Sequence, residues 1–235
     1  MKTCTIICES MTMDDLDEDL KFLHGHVLLP FDPHPATMSA QSLWCMMTPD
    51  KLPPAAGNPH EGTSWFEEAS SLLSSKFKVR LISNFWPKRY DPRIIDPECA
   101  DPKGKVVGCD PNCHQWETMR EYLKGPCPHE WLIYWPTLGH AKYRIGDENK
   151  GIPEHICKTT RTWLSLAAIL VEEAEAKGFQ TILFSDHGSA RKDKSRDEQF
   201  RNGFVWLPEK IPWHGPRPLT WDTMRFLVET SLCSP

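Results

Sequence analysis

Residues 181–188 have the sequence TILFSDHG, and this stretch decides the fold class. The apolar run TILF is typical of a buried strand, and a polar segment, SDHG, follows it directly. Asp186 offers a hard carboxylate oxygen and His187 a borderline imidazole nitrogen, so the pair suits a Mn, Zn or Mg ion. The simpler interpretation is an ordinary polar junction between a strand and a loop.

A second segment, near the N-terminus, has the same arrangement. Residues 5–10, TIICES, form a short apolar run that ends in Glu9. Ligands gather at the carboxyl ends of strands in α/β sheets. Glu9 is therefore a second candidate metal ligand.

Thr37 directly precedes a predicted helix over residues 38–47. A hydroxyl at a helix N-terminus lies at the positive end of the helix dipole, where an anionic substrate or product is stabilised. The alternative role for Thr37 is that of an ordinary N-cap.

Alternating strand and helix patterns predict a layered α/β fold. Strands are predicted near residues 4–9, 79–84, 131–137, 181–186 and 204–207, and helices near 13–23, 38–47, 63–75, 115–123, 154–177 and 219–231. The helix at 154–177 has the strongest pattern, because apolar residues recur at helical spacing from Ile156 to Ala174 and Gly178 follows it.

Composition limits the class of protein. A chain of 235 residues is long enough for one α/β domain with a substantial core. The net charge of −5, without a basic block, argues against nucleic-acid binding. No run approaches ~18 consecutive apolar residues, so no membrane span is expected, and the N-terminus does not resemble a signal peptide. Nine scattered cysteines predict reduced thiols and a cytoplasmic location.

The order of these segments resembles the alkaline phosphatase superfamily, in its sulfatase-like and phosphoglycerol-transferase branch. The segments that carry the resemblance are TIICES at 5–10, Thr37 with its helix, WFEEASSLL at 65–73, VRLISN at 79–84, LIYWPTLGHAKY at 132–143 and SDHG at 185–188. The resemblance implies a layered α/β/α fold with a mostly parallel central sheet and an alkaline-phosphatase-like core. It covers residues 1–235 as a single catalytic domain.

The resemblance also implies one divalent ion (Mn, Zn or Mg) bound by Glu9, Thr37, Asp186 and His187, as in lipoteichoic-acid-synthase-like transferases. Metal coordination would lower the pKa of the Thr37 hydroxyl and make it a nucleophile. His140 matches a family position that contacts the substrate or protonates the leaving group. The alternative for His140 is a packed or exposed loop histidine.

Two departures from the family patterns narrow the function. The sulfatase motif, Cys or Ser followed by x-Pro-x-Arg, is missing around Thr37, which argues against a conventional sulfatase. Glu9 is followed by Ser10 where two-metal relatives have an Asp pair, and no His lies at residues 201–203, so a second metal is not expected.

The sequence therefore predicts a metal-dependent phosphoester hydrolase or phosphotransferase with a covalent phosphothreonine intermediate, acting on a small phosphate ester. The alternatives are a sulfoester or phosphonate hydrolase on the same site and a catalytically degenerate metal-binding family member. Substrate identity, the choice between water and an alcohol as acceptor, and the oligomeric state are left open.

A proline- and cysteine-rich insertion is predicted at about residues 85–130. Cys109, Cys113, Cys127 and His129 are candidate ligands of a structural zinc ion, with a disulfide or free thiols as alternatives. Arg89 is a candidate contact for the anionic substrate, since Arg suits bidentate phosphate binding. A solvated charge cluster is the alternative for Arg89.

Overall fold

Two of the predicted strands form the centre of the fold. The structure is a computed structural model that describes residues 2–8, 11, 25–33, 77–83, 114–135, 153–185, 203–211 and 213–233. In it, β1 (Lys2–Ile7) and β5 (Phe179–Phe184) pair in parallel along their whole lengths. Every residue of β5 is buried, as the apolar run TILF at residues 181–184 predicts for a strand covered on both faces.

Four further strands complete a sheet of six strands within the described residues. They are β2 (His26–Phe31), β3 (Val79–Ser83), β4 (Trp131–Trp135) and β6 (Gly203–Pro208). The order across the sheet is β2-β6-β5-β1-β4-β3. The strands β1, β3, β4 and β5 are parallel to one another, and β6 pairs antiparallel with both β5 and β2.

The pairing gives the sheet two distinct edges. Because β6 is antiparallel to both of its neighbours, β2 runs in the same direction as β5. We call the edge at which β1 to β5 all end the carboxyl edge, and the edge at which they begin the amino edge. β6 alone among the described strands begins at the carboxyl edge.

Three described helices cover the two faces of this sheet. They are α1 (His114–Lys124), α2 (Pro153–Ala176) and α3 (Trp221–Cys233). α1 and α2 pack on one face and α3 packs on the other, so the core is divided into two clusters. This confirms the predicted layered α/β/α fold with a mostly parallel sheet. Among the helices that the structure describes, none has the length and apolar composition needed to cross a membrane.

The long helix α2 is explained by its apolar stripe. The side chains of Leu164, Ala167, Leu170, Val171 and Ala174 are buried against the sheet, at the spacing of one helix face. Burial of each Leu or Val contributes about 1.5–3 kcal/mol. The helix ends before Gly178, whose φ of 79° lies in the left-handed region that favours glycine. The predicted helices at residues 13–23, 38–47 and 63–75 lie outside the described residues.

Strand β2 is absent from the sequence predictions. Its sequence, HVLLPF, contains Pro30, which lacks a backbone N–H and is tolerated only at a sheet edge. In the structure, β2 is the outermost strand beside β6. On its other side, Leu219 N donates to Pro30 O at 2.9 Å and Asp32 N donates to Leu219 O at 2.8 Å. Pro30 thus takes part in this contact through its carbonyl oxygen alone. Its missing N–H is tolerated because β2 lies at the edge of the sheet.

Candidate functional site

The carboxyl ends of β1 and β5 meet at the centre of the carboxyl edge. Ile7 lies opposite Phe184 in the parallel register. The pairing continues one step further, because Cys8 N donates to Phe184 O at 2.7 Å. Glu9 comes next in the sequence after Cys8, and Asp186 comes two positions after Phe184. The segments that lead into these two predicted ligands are therefore adjacent, while Glu9, Asp186 and His187 themselves lie outside the described residues.

Ser185 links the same two segments through its side chain. Its Oγ donates to Met11 O at 2.6 Å, and Met11 N donates to Ser185 Oγ at 3.2 Å. Both residues are fully buried, at 0% exposure. Since Met11 follows Glu9 by two positions, the chain on both sides of Glu9 is bonded to the last residues before Asp186.

The end of β2 reaches the same edge of the sheet. Phe31 packs edge-on against Phe184 and Trp221, with ring centroids 6.0 Å and 5.0 Å apart. Trp221 Nε1 donates to Pro33 O at 2.7 Å, which fixes the chain as it leaves the strand. Thr37 follows Pro33 by four positions and lies outside the described residues.

Gly203 permits the start of β6 to lie close to Phe31 of β2 and to Ser185 after β5 at this edge. It begins β6 and lies opposite Phe31. A Cβ at this position would lie 2.7 Å from Ser185 O and 2.9 Å from Phe31 Cδ1, closer than real Cβ contacts allow. Only glycine fits between the two chain segments. This role of Gly203 is absent from the sequence predictions, although a glycine in a strand is a signal of close backbone approach.

The remaining predicted catalytic and substrate residues also follow strand ends at the carboxyl edge. His140 comes five positions after Trp135, the last residue of β4, and Arg89 comes six positions after Ser83, the last residue of β3. Both lie outside the described residues. The structure thus brings together, at one edge, the strands that precede every predicted catalytic and metal residue. The roles of these residues stay predictions.

The predicted zinc ligands Cys127 and His129 lie near the amino edge, just before β4. The buried Cys127 thiol donates to Tyr122 O at 3.3 Å, and burial raises the pKa of Cys127. His129 Nδ1 lies 2.8 Å from Tyr122 Oη. Burial, with the nearby charges of cationic side chains, lowers the pKa of His129.

A zinc ion on His129 would have to use Nε2, because Nδ1 is engaged by Tyr122. Cys109 and Cys113 lie outside the described residues. Within the part of the chain that the structure describes, no three His, Cys, Asp or Glu side chains are grouped to hold a metal ion. The structural zinc site remains a prediction.

Comparison with known proteins gives matches at the level of structure. No protein-family model matches the chain, and no curated protein matches it. The chain is similar to the crystal structure of the C-terminal periplasmic domain of EcEptC from Escherichia coli in complex with Zn, with a TM-score of 0.56 and 13% identity, covering 98% of this chain and 82% of that one. A second crystal structure of that domain has a TM-score of 0.49 and 12% identity, covering 89% of this chain and 73% of that one.

The first of these similarities confirms the alkaline-phosphatase-like fold predicted from the sequence. At 13% identity this similarity shows the fold alone and does not show the family or branch. The predicted cytoplasmic location is wrong, because the structure that shares this fold is a periplasmic domain. The count of cysteines is a poor guide to compartment, although the buried Cys4 and Cys127 form no disulfide among the described residues.

Proposed function

We propose that this protein is a metal-dependent phosphoester hydrolase or phosphotransferase whose site lies at the carboxyl edge of the sheet. The observation that carries the proposal is the parallel pairing of β1 with β5, which ends with Ile7 opposite Phe184. It supports a shared site for Glu9 and Asp186, which follow these residues by two positions each. Since the EcEptC domain of similar fold is periplasmic, we also propose a location outside the cytoplasm.

The donor set fits a zinc ion. Glu9 and Asp186 supply carboxylate oxygens, His187 an imidazole nitrogen and Thr37 a hydroxyl oxygen, and zinc accepts such mixed oxygen and nitrogen ligands. The crystal structure of similar fold is a complex with Zn, which favours zinc over manganese among the predicted metals. When bound, the ion would stabilise negative charge on phosphoryl oxygens and lower the pKa of the Thr37 hydroxyl.

The chain's own residues then carry out two displacements at phosphorus. Thr37, which has released its hydroxyl proton to bulk water, attacks phosphorus through Oγ1, the bond from phosphorus to the leaving oxygen breaks, and His140 gives that oxygen a proton. This forms a phosphothreonine. Water or an acceptor alcohol next attacks the same phosphorus and gives its proton to His140, and the bond from phosphorus to Thr37 Oγ1 breaks, which returns Thr37 in its deprotonated form. Arg89 would contact the phosphoryl oxygens, which a guanidinium group can bind in pairs.

The test combines turnover, a trapped intermediate and metal content. We expect wild-type protein, purified without chelator, to contain one zinc ion per chain and to hydrolyse nitrophenyl phosphate esters. Thr37→Ala should lower turnover by several orders of magnitude, and mass spectrometry of acid-quenched wild type should find a phosphoryl group on Thr37.

Ser39→Ala is the matched control, because it removes a hydroxyl two positions away and should keep the activity. If Thr37→Ala stays active and Ser39→Ala does not, the nucleophile is misassigned. A wild-type protein that binds zinc and turns over neither phosphate nor sulfate esters would instead be a degenerate member that only binds metal.

A further inference from the structure

Ser185 holds a backbone segment that is 174 positions away in the sequence. A serine hydroxyl has one donor and two acceptor positions. Here it donates to the carbonyl of Met11 and accepts from the amide of the same residue, at 2.6 Å and 3.2 Å. Both backbone polar groups of Met11 are thereby bonded to one side chain, so the position and orientation of this residue are fixed relative to β5.

The segment that contains Glu9 is short and is held at both ends. On one side, Cys8 N donates to Phe184 O at 2.7 Å. On the other side, Met11 is bonded to Ser185. Only two residues, Glu9 and Ser10, connect these points, and each residue spans at most ~3.3–3.6 Å. The described residues on either side of Glu9 are thus both bonded to the end of β5 and the residue after it.

Ser185 is itself held by the neighbouring strand. Its amide donates to Phe204 O at 2.8 Å, and its carbonyl faces Gly203, where a Cβ would approach to 2.7 Å. The residue therefore has fixed partners on its backbone and on its side chain. Asp186 is the next residue along the chain.

We infer that Ser185 is a positioning residue, which sets the separation of Glu9 and Asp186 and so preorganises the metal site. This inference rests on the proposed function. Ligands that are fixed before binding lose less conformational freedom when the ion binds. Without the hydroxyl, the Met11 amide and carbonyl lose their partner, and the Glu9 segment is held by β1 alone.

The experiment measures zinc affinity by competition with a chromophoric chelator, using the full chain. We expect Ser185→Ala to bind zinc about 10–100-fold more weakly than wild type, the range found when residues that orient metal ligands are removed. Ser185→Thr, which keeps the hydroxyl, should recover much of the affinity. Zinc binding to folded Ser185→Ala within twofold of wild type would overturn the inference and leave the proposed function intact.

Thr5→Val is the matched control for a merely structural effect. Thr5 is fully buried, and its hydroxyl accepts from Trp131 Nε1 at 3.0 Å, away from the carboxyl edge. Thr5→Val should lower the melting temperature and keep the zinc affinity. Equal losses of affinity in Thr5→Val and Ser185→Ala would show that Ser185 acts only through stability, which overturns the inference.

Hydrogen exchange of wild type tests the inference even if Ser185→Ala does not fold. The Met11 amide should be protected in metal-free protein, because its bond to Ser185 forms without the ion. Exchange at the rate of an unprotected amide would overturn the positioning role. A wild type that binds no zinc at all would overturn the proposed function, and the inference with it.

Discussion

The two edges of the sheet are stabilised by different kinds of contact. At the amino edge, long side chains bond to the ends of neighbouring elements. Lys2 Nζ donates to Cys127 O at 2.6 Å, and Lys177 Nζ donates to the carbonyls of Lys124 and Gly125 at 3.3 Å, where α1 ends. Cations at a helix C-terminus are favourable because they face the negative end of the helix dipole.

A second contact near the amino edge joins α2 to the sheet. The buried Thr181 hydroxyl donates to Glu175 Oε1 at 2.6 Å, and His26 Nε2 lies 3.2 Å from the same hydroxyl. These three residues connect the last turn of α2 with β5 and β2. Polar side chains at this edge are therefore used for stability.

At the carboxyl edge, the aromatic rings of Phe31, Phe184 and Trp221 pack together beside contacts that small residues make with backbone segments. Ser185 bonds the backbone of Met11, and Gly203 lets β6 lie close to the Phe31 ring and the Ser185 carbonyl. The predicted metal and catalytic residues follow the strand ends at this edge. We therefore propose a division of roles, in which the amino edge stabilises the fold and the carboxyl edge carries the chemistry, as is general for open α/β sheets.

The largest expected difference is between acidic residues at the two edges. Asp186→Ala should remove the bound zinc and lower turnover by several orders of magnitude while the protein stays folded. Glu175→Ala should keep zinc and turnover, and it should lower the free energy of unfolding by about 1–3 kcal/mol, because the buried Thr181 hydroxyl loses its acceptor. Zinc analysis, kinetics and urea unfolding measure these effects. Loss of zinc in Glu175→Ala alone would reverse the proposed division.

The contrast also shows which parts of the molecule are predictable from sequence. The strands β1, β4 and β5 are predictable because each contains a short apolar run and is covered on both faces. β2 was missed, since it is a half-exposed edge strand that contains Pro30. The place of β2 in the sheet depends on its pairing with β6 and on its bridge to Leu219. The strand propensity of its own residues does not reveal these contacts.

The candidate site is less predictable than the fold for a similar reason. A short stretch of sequence is enough to show that a candidate residue follows a strand, as is the case for Glu9, His140 and Asp186. The ends of these strands lie at one edge of the sheet. The contacts that hold this edge are long-range. The bond between Ser185 and Met11 and the fit of Gly203 against Phe31 and Ser185 depend on strand order, which no local pattern encodes.

A substitution of intermediate effect compares two glycines. Gly203→Ala should force the Ser185 carbonyl and the Phe31 ring apart, with a loss of about 1–3 kcal/mol in the free energy of unfolding and a weaker affinity for zinc. Gly125→Ala is the control, because its Cβ would meet Tyr122 O at an ordinary 3.4 Å. Its effect should stay within about 0.5 kcal/mol. Equal effects in urea unfolding would refute the proposed close fit at the carboxyl edge.

The smallest expected effect is a pH dependence at the amino edge. Burial first, and then the charges of Arg80, Lys78 and Lys2, lower the pKa of His129 in the folded protein. An unfolded His titrates near ~6.5, so below this pH the unfolded chain binds the proton first and stability falls until the folded pKa is reached. Above pH ~6.5, His129 is neutral in both states and no stability is lost through its protonation. His129→Gln should flatten the pH dependence of urea unfolding in this window, and an unchanged profile would contradict this origin.

The most direct test of the carboxyl-edge site is a crystal structure with zinc and phosphate, with data collected at the zinc absorption edge. We expect one anomalous peak at the carboxyl ends of β1 and β5, with Glu9, Thr37, Asp186 and His187 at ligand distances of about 2.0–2.3 Å. A zinc ion held only by Cys109, Cys113, Cys127 and His129, or a Glu9 carboxylate more than about 10 Å from His187, several times a ligand distance, would contradict the proposed site.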